Sequence, residues 1–563
     1  MKFKDFKYQR PDTEKLQNKI TELTALIASG NPVETEIKAM QSMFDLMDDY
    51  ESMQTLVSVR NSLDTTDKFY EDEQNFFNEF NPKLQEFTHN FDLKILKSEH
   101  RVKLEEKFGS LMFKMIEQQL KTFKPEIIPD LQVENKLSTE QQKLTASAKI
   151  EFDGGVYNLS QMAPFMQDLD RDKRHRAQLA VSNFLEEKEK EIDRIYDDMV
   201  KVRTKIAKTL GYENFVQLAY DRLGRVDYTA KEVKTYRDQI YSEVVPLATK
   251  LTARKAKRIG IENPKSYDLT LSFKSGNPTP KGDRAWQVER AVKMYDELSP
   301  ITGKFFRRMV DMEVLELDAK PGKSGGGYCT FIPNYDTPFI FANFNGTQHD
   351  VEVLTHEAGH AFQSYQSRNL IPAYRWPTLE ACEIHSMSME FLTWPWMKDF
   401  FLEDTDKFKF NHLSGSILFL PYGVAVDEFQ HIVYENPEMT PDERKSAWRK
   451  VEKKYLPFKD YDDDEFMKKG TYWFRQGHIF GVPFYYIDYT LAQVCAFQYW
   501  IKANEDHKKA FESYLELCNL GGSKSFVNLL EANKLRNPFM QGTVKEIIEP
   551  IKEYLDSVDD LKL

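Results

Sequence analysis

The chain has 563 residues, of which 41% are hydrophobic and 29% charged, and its formal net charge is -12. That composition excludes a disordered chain, and the acidic balance argues against nucleic acid as the main partner. A chain this long exceeds what one ordinary core needs and can bury a catalytic cavity.

Residues 1–10 alternate Lys with aromatic and polar residues and lack the apolar stretch of a secretory signal. No later window approaches eighteen uninterrupted apolar residues, so no membrane span is expected and the expected location is the cytoplasm. Leu16, Ile20, Leu23 and Ile27 recur at spacings of three and four, which predicts a helix that Gly30-Asn31-Pro32 stops. Similar charge-rich helical patterning continues over 33–123. Residues 149–159 predict a small β-hairpin turning at Asp153-Gly154-Gly155. Helical patterning resumes near 168 and runs, with interruptions, to about 318. The Pro- and Gly-rich stretch 321–327 cannot continue a helix and leads into β-type residues over 328–344. From 350 onward the pattern is helical again, and the acidic run 460–465 reads as a solvated loop. The four cysteines, Cys329, Cys382, Cys495 and Cys518, are scattered, form no Cys-x-x-Cys pair and read as free thiols.

The helical stretch after 350 contains His356-Glu357-Ala358-Gly359-His360. Four residues is just over one helical turn, so both imidazoles emerge from one face and can reach a single ion. The pattern suits zinc with one open position, where water is acidified toward a pKa of about 7 and Glu357 can take its proton. Two histidines leave such a site short of a third protein ligand. The candidates lie in a second helical stretch, 378–390, where Glu383, Glu380 and His385 all remain open on spacing. Glu390 shares a face with Glu383 and can orient His356 or His360, as can Glu352, one turn before His356. A third cluster, from His478 to Tyr489, offers His and Tyr donors for a developing oxyanion, although composition alone favours an aromatic core helix with one satisfied histidine.

Together, His356 through Gln363, Glu383 through Glu390 and His478 through Tyr489 resemble the thimet oligopeptidase family, most closely its oligoendopeptidase F and Pz-peptidase branch. The resemblance covers the C-terminal half, from about 325 onward. It implies one zinc per chain, held by His356, His360 and the Glu that opens a Glu-x-x-Ser segment, which selects Glu383. It also implies Glu357 as the catalytic base, with His478, Tyr486 and Tyr489 assisting at the oxyanion and Tyr485 exchangeable with Tyr486. The chain departs from the family at His385, where Pro or Ala is usual. The fold implied is mainly α, with two helical lobes enclosing a deep substrate channel and a small β element beside the zinc. The expected division is an N-terminal helical region with the hairpin over 1–190 and a catalytic region over 191–563. Short unstructured peptides are the expected substrates, cut internally, and the Pz-peptidase branch is associated with collagen-derived, Pro- and Gly-containing ones. An extended substrate could add as a strand to the β segment near 328–345. The rival readings are a helical metallocarboxypeptidase and a metal-containing peptide-binding protein without turnover. Neither a monomer nor a homo-oligomer is favoured.

Overall fold

The computed structural model describes residues 1–563 except Ser29. The first periodic stretch forms α1 (Thr13–Leu26), begun by the Asp12 carboxylate, which accepts from the Lys15 amide. Its Leu16, Ile20 and Leu23 pack against α2 (Val33–Leu63) and α3 (Lys68–Leu96), in a core with Met40, Phe77 and Phe80. The buried members of this core all fall between Leu16 and Phe113, apart from Tyr374. A second, larger core runs from Phe3 to Leu555. The fold is mainly α, and each of these two helical lobes has its own apolar interior.

After α4 (Ile128–Ala146), β1 (Ile150–Phe152) and β2 (Gly155–Tyr157) form the hairpin. Asp153 and Gly154 both take positive φ, 47° and 81°, as a two-residue turn matched to strand twist requires. Further helices, including α5 (Val245–Ile259), lead to a three-stranded sheet of β3 (Leu315–Asp318), β4 (Tyr328–Ile332) and β5 (Thr337–Phe344). The order is β3-β5-β4, parallel for the first pair and antiparallel for the second, so β4 is an edge strand.

Beside this sheet lie α6 (His349–Ser367) and α7 (Leu379–Leu392), with α8 (Thr405–Glu435) and α9 (Tyr486–Leu520) completing the body. α7 is packed between α6 and α9. A cavity of about 840 Å³ opens against α6 and includes Gly327 in its wall. A second, of about 850 Å³, lies between α2, α3, α4 and β4 and includes Tyr328, Cys329 and Thr330. Consecutive residues at the start of β4, Gly327 and Tyr328, line the first and the second cavity respectively.

The structure corrects two expectations. Helical patterning was extended to about 318, but Leu315–Asp318 is a strand, paired with Ile340 to Phe344 of β5. The acidic run is not simply solvated. Asp460 pairs with Lys265, Asp462 accepts from Tyr267, and the buried Asp464 accepts from Ser182 while capping the helix Glu465–Lys468. Among the described residues all four cysteines are free, and no helix is long and apolar enough to cross a membrane.

Candidate metal centre

The approach of α6 to α7 sets the site. Gly359 lies at their crossing, where a Cβ would stand 2.7 Å from the His385 carbonyl oxygen and 2.7 Å from Ser386 Cα. No other residue fits there without moving one helix. At this spacing Glu383 of α7 meets the two imidazoles of α6. Its Oε2 lies 3.1 Å from His356 Nε2 and 3.2 Å from His360 Nε2. The three ligand atoms converge on one point and could hold one ion.

The surrounding bonds show what that point needs. His356 Nδ1 lies 2.7 Å from Glu390 Oε1, and a carboxylate only accepts, so the proton is on Nδ1. The Nε2 lone pair then faces another acceptor, the Glu383 oxygen. Two acceptors at 3.1 Å require a cation or a proton between them. The spacing matches the about 3.3 Å edge of a tetrahedron with 2.0–2.1 Å bonds, so the donor set fits a zinc-type ion. Without a cation, burial opposes charge on both partners, but Glu383 and Glu390 still hold His356 well above the usual imidazole range. His360 and His356 likewise hold Glu383 well below the usual carboxylate range, against the effect of burial.

Glu383 is fixed from two further sides. The Ser386 hydroxyl donates to Oε2 at 2.8 Å, and the Tyr485 hydroxyl donates to Oε1. Behind His356 the chain of contacts continues. Glu390 Oε2 accepts from His412 Nε2 at 2.7 Å, and the Trp394 indole donates to His412 Nδ1 at 2.9 Å. An indole N–H can only donate, so it fixes the proton of His412 on Nε2 and, through Glu390, that of His356 on Nδ1.

Glu357 is buried next to the ligand pair, and its Oε2 has no hydrogen-bond partner. Burial raises its carboxyl above the ordinary value, although the two histidines oppose the rise. A Cβ at Gly327 would come within 3.2 Å of Glu357 Oε1, so the glycine lets the loop pass close by. His478, Tyr486 and Tyr489 line the 840 Å³ cavity together with His356 and Glu357. Gln476 accepts from Tyr422 through Oε1 and donates through Nε2 to His478 Nδ1 at 2.7 Å. His478 Nε2 therefore carries the proton and points at the Tyr489 oxygen, 3.1 Å away. Burial lowers His478 to about 4, so the ring is neutral at pH 7.

The structure thus brings His356, His360 and Glu383 to one point and places Glu357, His478, Tyr486 and Tyr489 around the adjoining cavity. The other third-ligand candidates turn away. Glu380 is buried next to Arg225, and His385 bonds the Ala381 carbonyl with its ring toward Tyr514. Glu352 bonds Gln348 and His349, leaving the contact with His356 to Glu390. Sequence reading left Tyr485 as an alternate and missed Trp394, His412, Gln476 and Arg225. Arg225 holds Asp488 Oδ1 and the Phe484 carbonyl, each at 2.7 Å, and so braces the tyrosine segment.

Residues 165–548 match the model of peptidase family M3, and residues 3–123 match that of the peptidase M3 N-terminal domain. The chain belongs to peptidase family M3. Family M3 is a metallopeptidase family, which accords with a metal at the His/Glu cluster. Among solved structures, Pz peptidase A with an inhibitor is 51% identical with a TM-score of 0.99, covering 100% of both chains. A protein of Bacillus anthracis str. Ames assigned as an oligoendopeptidase F is 50% identical with a TM-score of 0.94, covering 100% of this chain and 99% of that one. These neighbours place the chain in the oligoendopeptidase F branch of M3. Curated relatives are more distant. Group B oligopeptidase PepB of Streptococcus agalactiae is 23% identical over 63% of this chain and 59% of its own length. Oligopeptidase PepF of Bacillus subtilis is 21% identical over 65% and 57%. The matched stretch spans less than two thirds of either relative.

Proposed function

We propose that this M3 chain is a zinc endopeptidase that hydrolyses internal bonds of short, unstructured peptides. The observation that carries this reading is the pair of imidazole Nε2 atoms converging on the Glu383 oxygen at 3.1–3.2 Å, next to a cavity where Glu357 Oε2 is unpartnered. His356, His360 and Glu383 would hold the zinc, which when bound supplies a Lewis acid that polarises a carbonyl and acidifies water.

The chain's own groups do the rest. Glu357 removes a proton from the attacking water, and its raised affinity for that proton lets it pass the proton on to the leaving amine. His478 donates its Nε2 hydrogen toward Tyr489, which leaves the Tyr489 hydroxyl hydrogen directed elsewhere. That hydrogen and the Tyr486 hydroxyl are the donors for the oxyanion formed as the carbonyl carbon is attacked. The 840 Å³ cavity takes an extended strand and excludes a folded domain, which limits substrates to short peptides. The four free thiols suit the cytoplasm, where disulfides are rare.

The test is mass spectrometry of the products from unstructured peptides of about ten residues, enough to occupy an extended cleft. Pro- and Gly-containing sequences belong in the set. Internal cuts support the endopeptidase, stepwise loss of C-terminal residues supports a carboxypeptidase, and no cleavage by zinc-loaded protein supports a binding protein.

A further inference from the structure

Lys255 of α5 lines the same cavity as Glu357, His478, Tyr486 and Tyr489. Its ammonium donates one hydrogen bond, 3.0 Å to the Leu269 carbonyl, and among the described residues no carboxylate pairs with it. An ammonium has three donors, so two are without a protein partner. The neighbouring charge is repulsive, because Arg258 lies one turn along the helix and is itself engaged by Asp560. Burial, with that repulsion, lowers Lys255 to about 8.

Lys255 is half-buried, and the two fully buried lysines of the described residues satisfy their donors internally. Lys445 lies 2.5 Å from Glu189 and 2.6 Å from Asp193, and Lys323 donates to three backbone carbonyls. The charge around the cavity is also segregated. Its lining carboxylates, Glu352, Glu357 and Glu390, all belong to α6 and α7 at the metal end. Away from that end the charged lining groups are Lys255 and Lys459, and Lys459 is already paired with Glu452 at 3.5 Å. In a chain of net charge -12, this leaves one uncompensated cation in the wall of the proposed substrate cavity.

We propose that Lys255 binds the free C-terminal carboxylate of the peptide and thereby fixes where the chain is cut. The proposal rests on the peptidase reading above. Only the fragment on the leaving-amine side carries that carboxylate, so the wall bearing Lys255 receives the C-terminal part of the substrate. The cut position is then counted from the C-terminus. Adding residues at the N-terminus of a peptide leaves that count unchanged.

The test compares one peptide with a free carboxylate and the same peptide as its C-terminal amide. Binding is measured by calorimetry on the zinc-loaded E357Q protein, so no turnover is needed, and hydrolysis by the wild type is followed in parallel. The acid form is expected to bind at least about tenfold more tightly than the amide, the worth of a charge-assisted hydrogen bond. That preference is expected to disappear in E357Q/K255M and to persist in E357Q/K255R. Equal affinity for acid and amide in E357Q, or an undiminished preference in E357Q/K255M, overturns the proposal. Hydrolysis by the wild type without a preference removes the anchor and leaves the peptidase. A preference without hydrolysis removes the peptidase and leaves the anchor.

Discussion

Replacing Glu390 by Gln removes one of two acceptors from a node that two imidazoles share. Glu390 accepts from His356 Nδ1 and from His412 Nε2, each at 2.7 Å. A Gln side chain offers one acceptor oxygen and one donor NH2, so it must face one of the two rings with the wrong group. His412 cannot adapt, because the Trp394 indole donates to its other nitrogen. His356 can, by moving its proton from Nδ1 to Nε2. The amide oxygen therefore settles toward His412 and its NH2 toward His356, which places a proton on the nitrogen that the metal needs. Loss of such a partner weakens metal binding by about 10- to 100-fold, or roughly 1.4–2.7 kcal/mol. Zinc affinity measured by competition with a chelator reads this directly. E390Q/H412F frees the amide oxygen for His356 and is expected to recover part of the loss. Zinc affinity equal to wild type in E390Q would refute the tautomer argument.

Three further outcomes follow from the same geometry. Gly359→Ala puts a methyl group against the His385 carbonyl and Ser386 Cα, separates α6 from α7 and draws Glu383 away from both histidines; zinc affinity and unfolding free energy should fall together, the latter by an overpacking cost of about 1–3 kcal/mol, and no change in either would contradict it. Burial already pushes Asp488 well above the usual carboxylate range and Arg225 opposes that rise, so Arg225→Met removes the cation bonded to a fully buried acid; urea unfolding should show about 3–5 kcal/mol of lost stability, and a loss under about 1 kcal/mol would mean that the acid is held neutral without the arginine. Glu134 is pulled up by burial, but Arg222 and Arg203 hold it at about 2. Its folded value thus lies below the unfolded one of about 4.3, so its contribution of about 3 kcal/mol is present above that value and lost as pH falls toward 2. The stability deficit of Glu134→Gln, read from urea midpoints, should be full at pH 7 and shrink between about pH 4 and pH 3, and a deficit independent of pH would refute the assignment.

His356 and His360 could be paired from sequence because four residues of helix place two side chains on one face whatever the rest of the chain does. Glu383 could not be separated from Glu380 and His385 by spacing, because the choice depends on where α7 crosses α6. That crossing is decided by the missing side chain at Gly359, a fact of packing that no periodicity reveals. The resemblance, not the spacing, picked out Glu383 as ligand. His412 and Trp394 carried no local signal, since their importance comes only from meeting Glu390 in space.

Similar reasons explain the fold. The long amphipathic helix α1 and the hairpin with its Asp-Gly turn are encoded locally and were visible. β3 is four residues long and makes sense only beside β5, so it was absorbed into the preceding helical pattern. The acidic run 460–465 looked solvated because its partners His175, Ser182, Lys265 and Tyr267 lie far upstream in the chain.

The most direct test of the central claim measures zinc content and peptide turnover side by side in wild type and Glu357→Gln. The account predicts one zinc per chain in both proteins and a fall in turnover of about 10²- to 10⁴-fold in the variant, the usual contribution of a positioned base. Turnover by zinc-loaded Glu357→Gln at the wild-type rate would contradict it.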